Sequence, residues 1–236
     1  MPRKWYTSKI TKKVQEAPNT YRFWLEYPDS EDFSFTPGQF ITCDLPVGEK
    51  RLDRWRSYSI ANIPNKEEGI ELCIVFLEGG RASDYFKQLQ VGEEITFKGP
   101  EGQFILKPES SNDLIFICTG TGIAPFRSMI LDRAAKDSGP NITLIFGTRF
   151  KDGILYHEEL KQLLKEPWFD YKIALSREEY LDYKGYVHGL YKDHAQNDTS
   201  CHFYLCGWSQ MVDHAKDELI NTYQIEPSRL HLELYG

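Results

Sequence analysis

Leu114-Ile115-Phe116-Ile117-Cys118-Thr119-Gly120-Thr121-Gly122-Ile123-Ala124-Pro125 is the stretch whose reading decides the fold. Five apolar residues in a row read as a strand buried on both faces, and the glycines behind them predict a turn into a helix over 125–135. Glycines at such a turn let backbone N–H groups approach a pyrophosphate, and the helix start adds a favourable partial charge for an anion. An ordinary strand-to-helix turn can also carry a G-x-G. Here the third glycine of G-x-G-x-x-G is missing, and Pro125 stands nearby as an early helix residue.

Further along, apolar runs at 142–146, 171–175 and 202–206 read as three more buried strands, with helical patterns at 157–165 and 210–223. Strand alternating with helix predicts a doubly wound parallel α/β sheet that binds ligands beyond the C-terminal ends of its strands. Upstream the rhythm differs. Short aromatic-rich segments at 21–25, 39–43, 57–60, 70–76 and 94–97 are separated by turn residues at Pro37-Gly38, Glu68-Gly69 and Gly99-Pro100. That spacing predicts an antiparallel β-barrel or sandwich, interrupted by one helix that starts near Ser83 as its N-cap. The polar stretch 107–112 is read as a linker, so the expected domains are 1–107 (β-barrel) and 113–236 (α/β).

Composition narrows the function. The 236 residues include 28 basic and 35 acidic ones, a net charge of −7, opposite to the field that holds nucleic acid. No apolar run approaches the ~18 residues of a membrane helix. Residues 1–10 are positively charged with no apolar segment behind them, which makes a cytoplasmic location the expectation. Cys43, Cys73, Cys118, Cys201 and Cys206 form no C-x2-C pair and no plant-type iron–sulfur run, and His157-Glu158-Glu159 reads as a solvated helix face, so no metal is expected. A hydrolase elbow, G-x-S-x-G, is absent.

In the β half, Arg56 and Tyr58 stand two apart on a strand and share a face. One could clamp a phosphate while the other offers its ring to a flat heterocycle; a surface arginine beside a core tyrosine is the other reading. Gly79-Gly80-Arg81-Ala82-Ser83 adds a glycine turn before a helix, a second anion position.

In their order along the chain, Arg56-Ser57-Tyr58-Ser59, Gly80 with Ser83, Gly120 to Pro125, Cys206-Gly207-Trp208-Ser209-Gln210-Met211 and Glu233-Leu234-Tyr235 resemble the ferredoxin-NADP reductase family of flavoenzymes. The resemblance spans nearly the whole chain and implies an FAD-binding barrel joined to an NADP-binding α/β domain. It implies Arg56, with Ser57 beside it, on the FAD phosphates, Tyr58 stacked on the isoalloxazine, Ser59 near the reactive N5, and Gly80 and Ser83 at a second phosphate contact. It puts Thr119, Gly120, Gly122 and Pro125 on the NADP pyrophosphate, Cys206 and Gly207 beside the nicotinamide, and Glu233 near the site. Tyr235 would cover the flavin, although Gly236 extends one residue past the family's usual terminal tyrosine. Ser176 and Arg177 would hold the 2′-phosphate and Tyr186 would stack on adenine, implying NADPH, while Glu178, Glu179 and Asp182 crowd that segment with negative charge that also suits a solvated acidic loop.

The implied activity moves electrons between NADPH and a one-electron carrier, ferredoxin or flavodoxin, with Ser59, Cys206, Glu233 and Tyr235 as catalytic residues. An NAD(P)H-flavin reductase or the reductase component of an oxygenase is the alternative, and it would need an open flavin face. A non-catalytic flavin-binding electron-transfer subunit is a third reading, usually with a C-terminal cysteine cluster that this sequence lacks. Arg51, Arg54, Lys12 and Lys13 are the basic residues offered for an acidic carrier.

Overall fold

The computed structural model describes residues 4–29, 33–107, 112–179, 183–197 and 200–235. The chain forms two compact units: one from the chain up to Leu106 with Ala124–Asp132, the other from Lys107–Ile123 with Arg133 onward. Asp182 and Gly236, and the linker positions 108–111, lie outside the described residues.

The first unit contains strands β1 (Trp5–Ala17), β2 (Thr20–Leu25), β3 (Phe40–Asp44), β4 (Trp55–Ser59), β5 (Ile70–Val75) and β6 (Glu94–Glu101). They lie in the order β4-β3-β6-β1-β2-β5, every pairing antiparallel. The two edges meet: Ile60 bridges Leu72, and the Ala61 N–H donates to the Glu71 carbonyl at 2.9 Å, which closes the sheet into a barrel. Alternate residues point inward, so Ile10, Phe23, Leu25, Ile41, Leu72 and Phe97 fill the interior. Gly99-Pro100 is not the expected strand-ending turn. β6 runs through it, because a bulge sets Phe40 opposite Glu101 but Thr42 opposite Lys98, and Gly99 at φ +146° supplies the bend.

Two helices lie between the strands, α1 (Arg51–Arg54) and α2 (Arg81–Gln88). Ser83 is not the N-cap of α2. Gly80 takes that position with extended dihedrals and accepts the Asp84 N–H at 2.9 Å, while Ser83 sits in the first turn and accepts the Leu77 N–H at 2.8 Å. The other end of α2 is held by Lys13, whose ammonium donates to the carbonyls of Phe86, Lys87 and Leu89 at 3.2, 2.9 and 2.7 Å.

Helix α3 (Ile123–Lys136) contributes Ala124–Asp132 to this unit. Arg127 donates to the Ala61 carbonyl at 2.8 Å and to Glu71 at 3.0 Å, and Arg22 donates to the other Glu71 oxygen at 2.6 Å. The Ser128 hydroxyl bonds the Asn62 carbonyl at 2.6 Å, and the Asn62 side chain receives the Glu71 N–H and donates to Gly69, both at 2.9 Å. Glu71 is only 2% exposed, so its charge is held by guanidinium groups where water would otherwise be required.

The second unit is a parallel sheet of β7 (Leu114–Thr119), β8 (Ile142–Thr148), β9 (Phe169–Leu175), β10 (Tyr183–Lys184), β11 (His202–Trp208) and β12 (Leu230–Tyr235), ordered β10-β9-β8-β7-β11-β12. Helices α4 (His157–Leu163), α5 (His188–Asn197) and α6 (Ser209–Asn221) complete it. From β7 the chain steps outward to β10, then returns to β11 on the other side. The strand order therefore reverses between β7 and β11, the point where open α/β sheets leave a crevice. No helix among the described residues is long and apolar enough to cross a membrane.

Removing the Glu71 carboxylate leaves two guanidinium groups facing a buried void. Glu71→Ala is expected to lower stability by about 3 to 5 kcal/mol, whereas Leu52→Ala, at a position 85% exposed, should stay within about 0.5 kcal/mol. Urea unfolding followed by tryptophan fluorescence reads both.

Candidate functional site

In the first unit β4 carries the Arg56-Ser57-Tyr58-Ser59 segment. Arg56 is anchored through one nitrogen, Nη1, to the carbonyls of Leu52 at 3.0 Å and Trp55 at 2.7 Å, which leaves Nε and Nη2 as donors for an anion. The Tyr58 ring meets the edge of Phe86 at 5.3 Å and is partly buried against the barrel core. Burial pushes its phenol well up, Cys43 acts in the same direction and the Arg56 charge opposes, so the hydroxyl stays neutral. Ser57 shares a hydrogen bond of 3.1 Å with Thr42, which in turn donates to Glu101 at 2.8 Å. Ser59 is buried. Gly80 and Ser83 close the turn before α2, and a Cβ on Gly80 would come within 3.0 Å of the Ser83 hydroxyl. A partly buried ring, an arginine with spare donors and a small-residue turn fit a flavin and its phosphates.

In the second unit the β7 and β11 ends approach closely. A Cβ on Gly122 would strike the Cys206 carbonyl, and one on Gly207, at φ +137°, would strike the Thr119 hydroxyl. The Trp208 N–H donates to that hydroxyl at 3.3 Å. Gly120 differs: at φ +53° a Cβ would project into open space. The loop thus keeps room in front of its backbone for a pyrophosphate. Pro125 is buried in the first turn of α3.

Cys206 pairs in register with Cys118 on β7 and Glu233 on β12, and Trp208 pairs with Tyr235. Burial holds the Cys206 thiol well above the usual range; Glu233 and Cys118 push the same way, and a side-chain hydrogen bond with Tyr235 opposes them. Cys206 is therefore a neutral thiol, and the sheet brings it together with Glu233 and Tyr235.

Ser176 and Arg177 continue from β9, their N–H groups bonded at 3.0 Å to the carbonyls of Thr148 and Arg149. Arg177 lines an open groove of about 750 Å³ with Phe150, Lys151, Asp152 and Glu178. Tyr186, 73% exposed, precedes α5. Lys151 and its loop escape the motifs; the basic pair Arg149 and Lys151 after β8 is the signal that could have marked them. Of the basic residues offered for a carrier, Arg54 is held by Asp44 at 2.8 and 2.9 Å and Lys13 by α2, so both are engaged internally. Lys12 lies over Trp24 and Arg51 over Trp55, at 4.5 and 4.7 Å from the ring centroids.

Residues 7–105 match the oxidoreductase FAD-binding domain family and residues 116–217 the oxidoreductase NAD-binding domain family. The chain is 31% identical over 230 residues to Ferredoxin–NADP reductase B of Sorangium cellulosum (strain So ce56), covering 93% of both chains. It is 36% identical over 189 residues to the phenol 2-monooxygenase reductase component DmpP of Pseudomonas sp. (strain CF600), covering 77% of this chain and 52% of that one. This chain thus spans about half the length of that reductase component. In fold it resembles the ferredoxin-NADP+ reductase from Plasmodium falciparum, with a TM-score of 0.83, 24% identity and coverage of 98% and 96%. It also resembles a ferredoxin NADP+ reductase from Neisseria gonorrhoeae with bound FAD and NADP, with a TM-score of 0.81, 22% identity and 98% of each chain covered.

The two kinds of glycine should separate by substitution. Gly120→Ala is expected to cost roughly 1 to 2 kcal/mol of stability for its left-handed backbone but to weaken NADP binding about tenfold or more, because the methyl group fills the open space. Gly207→Ala adds overpacking against Thr119 and should cost roughly 2 to 4 kcal/mol. Thermal unfolding and NADP titration on both variants test the distinction.

Proposed function

Because the chain belongs to the ferredoxin-NADP reductase family, we propose that this FAD- and NAD(P)-dependent oxidoreductase exchanges electrons between NADPH and a one-electron protein carrier, ferredoxin or flavodoxin. The observation that carries this reading is the likeness to a ferredoxin–NADP reductase over 93% of both chains. An exposed arginine beside a serine after β9 supports the choice of NADPH, since a guanidinium gains charge-assisted hydrogen bonds only from the coenzyme with a 2′-phosphate.

Bound flavin would supply the redox chemistry that links two-electron exchange with a nicotinamide to one-electron exchange with a carrier. The protein's part is placement and charge. Arg56 would hold the diphosphate through Nε and Nη2 while its Nη1 stays locked to the backbone, and Tyr58 would present its open ring face with Phe86 fixing the ring's tilt. Ser59 would donate its hydroxyl hydrogen bond to N5. Cys206, kept neutral, would add no charge beside the nicotinamide. Glu233 would relay protons, and Tyr235 would yield its place to the nicotinamide ring. Coenzyme binding energy used to displace Tyr235 is then not available to hold product.

The reductase-component reading rests on a separate observation, the 36% identity to DmpP. Acceptor choice separates the two. Under the leading reading, NADPH oxidation with ferredoxin or flavodoxin should exceed that with free flavin at equal concentration by tenfold or more; the reverse order favours the other.

The purified protein should show flavin absorption bands near ~370 and ~450 nm. Tyr58→Ala should bind FAD several-fold more weakly, as a stacked ring contributes on the order of 1 kcal/mol beyond its buried area; a folded variant with full FAD content would remove Tyr58 from the site. Tyr235→Ser should bind NADP more tightly, gain a long-wavelength charge-transfer band and turn over more slowly as release slows. Wild-type affinity with no such band in a NADP titration would dismiss the lid.

A further inference from the structure

Glu178 stands next to Arg177 in the groove, and its placement is fixed: Oε2 accepts the Lys151 N–H at 2.7 Å. That bond joins the turn after β9 to the turn after β8. The groove therefore presents two cations, Lys151 and Arg177, and two anions, Asp152 and Glu178. Among the described residues the Arg177 guanidinium makes no hydrogen bond or ion pair, and the second Glu178 oxygen, Oε1, accepts none.

From this arrangement we propose that Glu178 is a second specificity-determining residue, which makes the groove accept the adenosine ribose of NADH as well as that of NADPH. The proposal rests on the NADPH reading given above. A 2′-phosphate carries close to two negative charges at neutral pH, so it is attracted by Arg177 and repelled by the tethered carboxylate beside it. Glu178 cannot swing clear without giving up the Lys151 N–H. A ribose with a free 2′-hydroxyl meets the opposite balance. It gains little from Arg177 but can donate to the unoccupied Oε1, the pairing by which an acidic residue selects the unphosphorylated dinucleotide. Arg177 and Glu178 thus pull the preference in opposite directions, and the chain's selectivity is their difference.

Binding of 2′,5′-ADP and 5′-AMP to the FAD-loaded protein, measured by calorimetry at low and high salt, tests this without turnover. Glu178→Gln keeps an oxygen acceptor for the Lys151 N–H and removes only the charge. It should bind 2′,5′-ADP about three- to tenfold more tightly, with the gain shrinking in high salt as expected for exposed charges, and should bind 5′-AMP no more tightly than wild type. If Arg177→Ala weakens 2′,5′-ADP tenfold or more while Glu178→Gln leaves it unchanged, or tightens both probes alike, the NADPH reading stands and the role of Glu178 is overturned. If Arg177→Ala leaves 2′,5′-ADP unchanged, the 2′-phosphate reading fails and the proposal fails with it.

Discussion

A carboxylate that is almost sealed from water, Glu71, holds the first unit together. It sits on β5 where the barrel closes against the residues that follow β4, and it is shared by Arg22 from the next strand and Arg127 from α3. A lone buried charge would cost several kcal/mol, and the two guanidinium groups offset that cost. Through the Glu71 backbone and Asn62 the same network fixes residues 61 and 62, three and four positions beyond Tyr58. The strand that bears Arg56 and Tyr58 is thereby clamped at its C-terminal end, which keeps the backbone beneath both side chains from drifting.

The second unit uses a different constraint, exclusion of volume. Neighbouring parallel strands diverge into separate loops after β7 and β11, and glycines let those loops nearly touch at Gly122 and Gly207 while Gly120 stays clear. Crowding in one direction and space in the other give the loop its shape. Two anchoring styles follow, ionic in the barrel and steric in the sheet, each suited to its fold: a barrel must join its edges, whereas a sheet reversal must let two chain ends pass.

Much of this was legible in the sequence, and the failures have physical reasons. Strands buried on both faces, such as β7 and β8, announce themselves as apolar runs. β12 does not, because an edge strand exposes Leu232 and Leu234 at 38% and 56%. Helix α5 carries no such signal, since only Tyr191 and Ala195 are buried along it, too few to set a period. Gly99-Pro100 looked like punctuation because the same residues serve turns and bulges alike. Motifs mark positions whose signal lies in local backbone geometry. They could not reveal the partners of Glu71, 49 and 56 residues away, or the bond from Lys151 to Glu178 across 27 residues, since such contacts exist only once the topology has formed.

All five cysteines are buried thiols, and burial raises the pKa of Cys43, Cys118 and Cys206. A protonated, enclosed sulfur is a poor nucleophile, so alkylating reagents reach it only when the surrounding structure opens. Cys43 and Cys73 belong to the first unit and Cys118, Cys201 and Cys206 to the second. The molecule consequently carries its own set of opening gauges in each half: the order in which the sulfurs become labelled in native buffer reports which half loosens first, with no introduced probe.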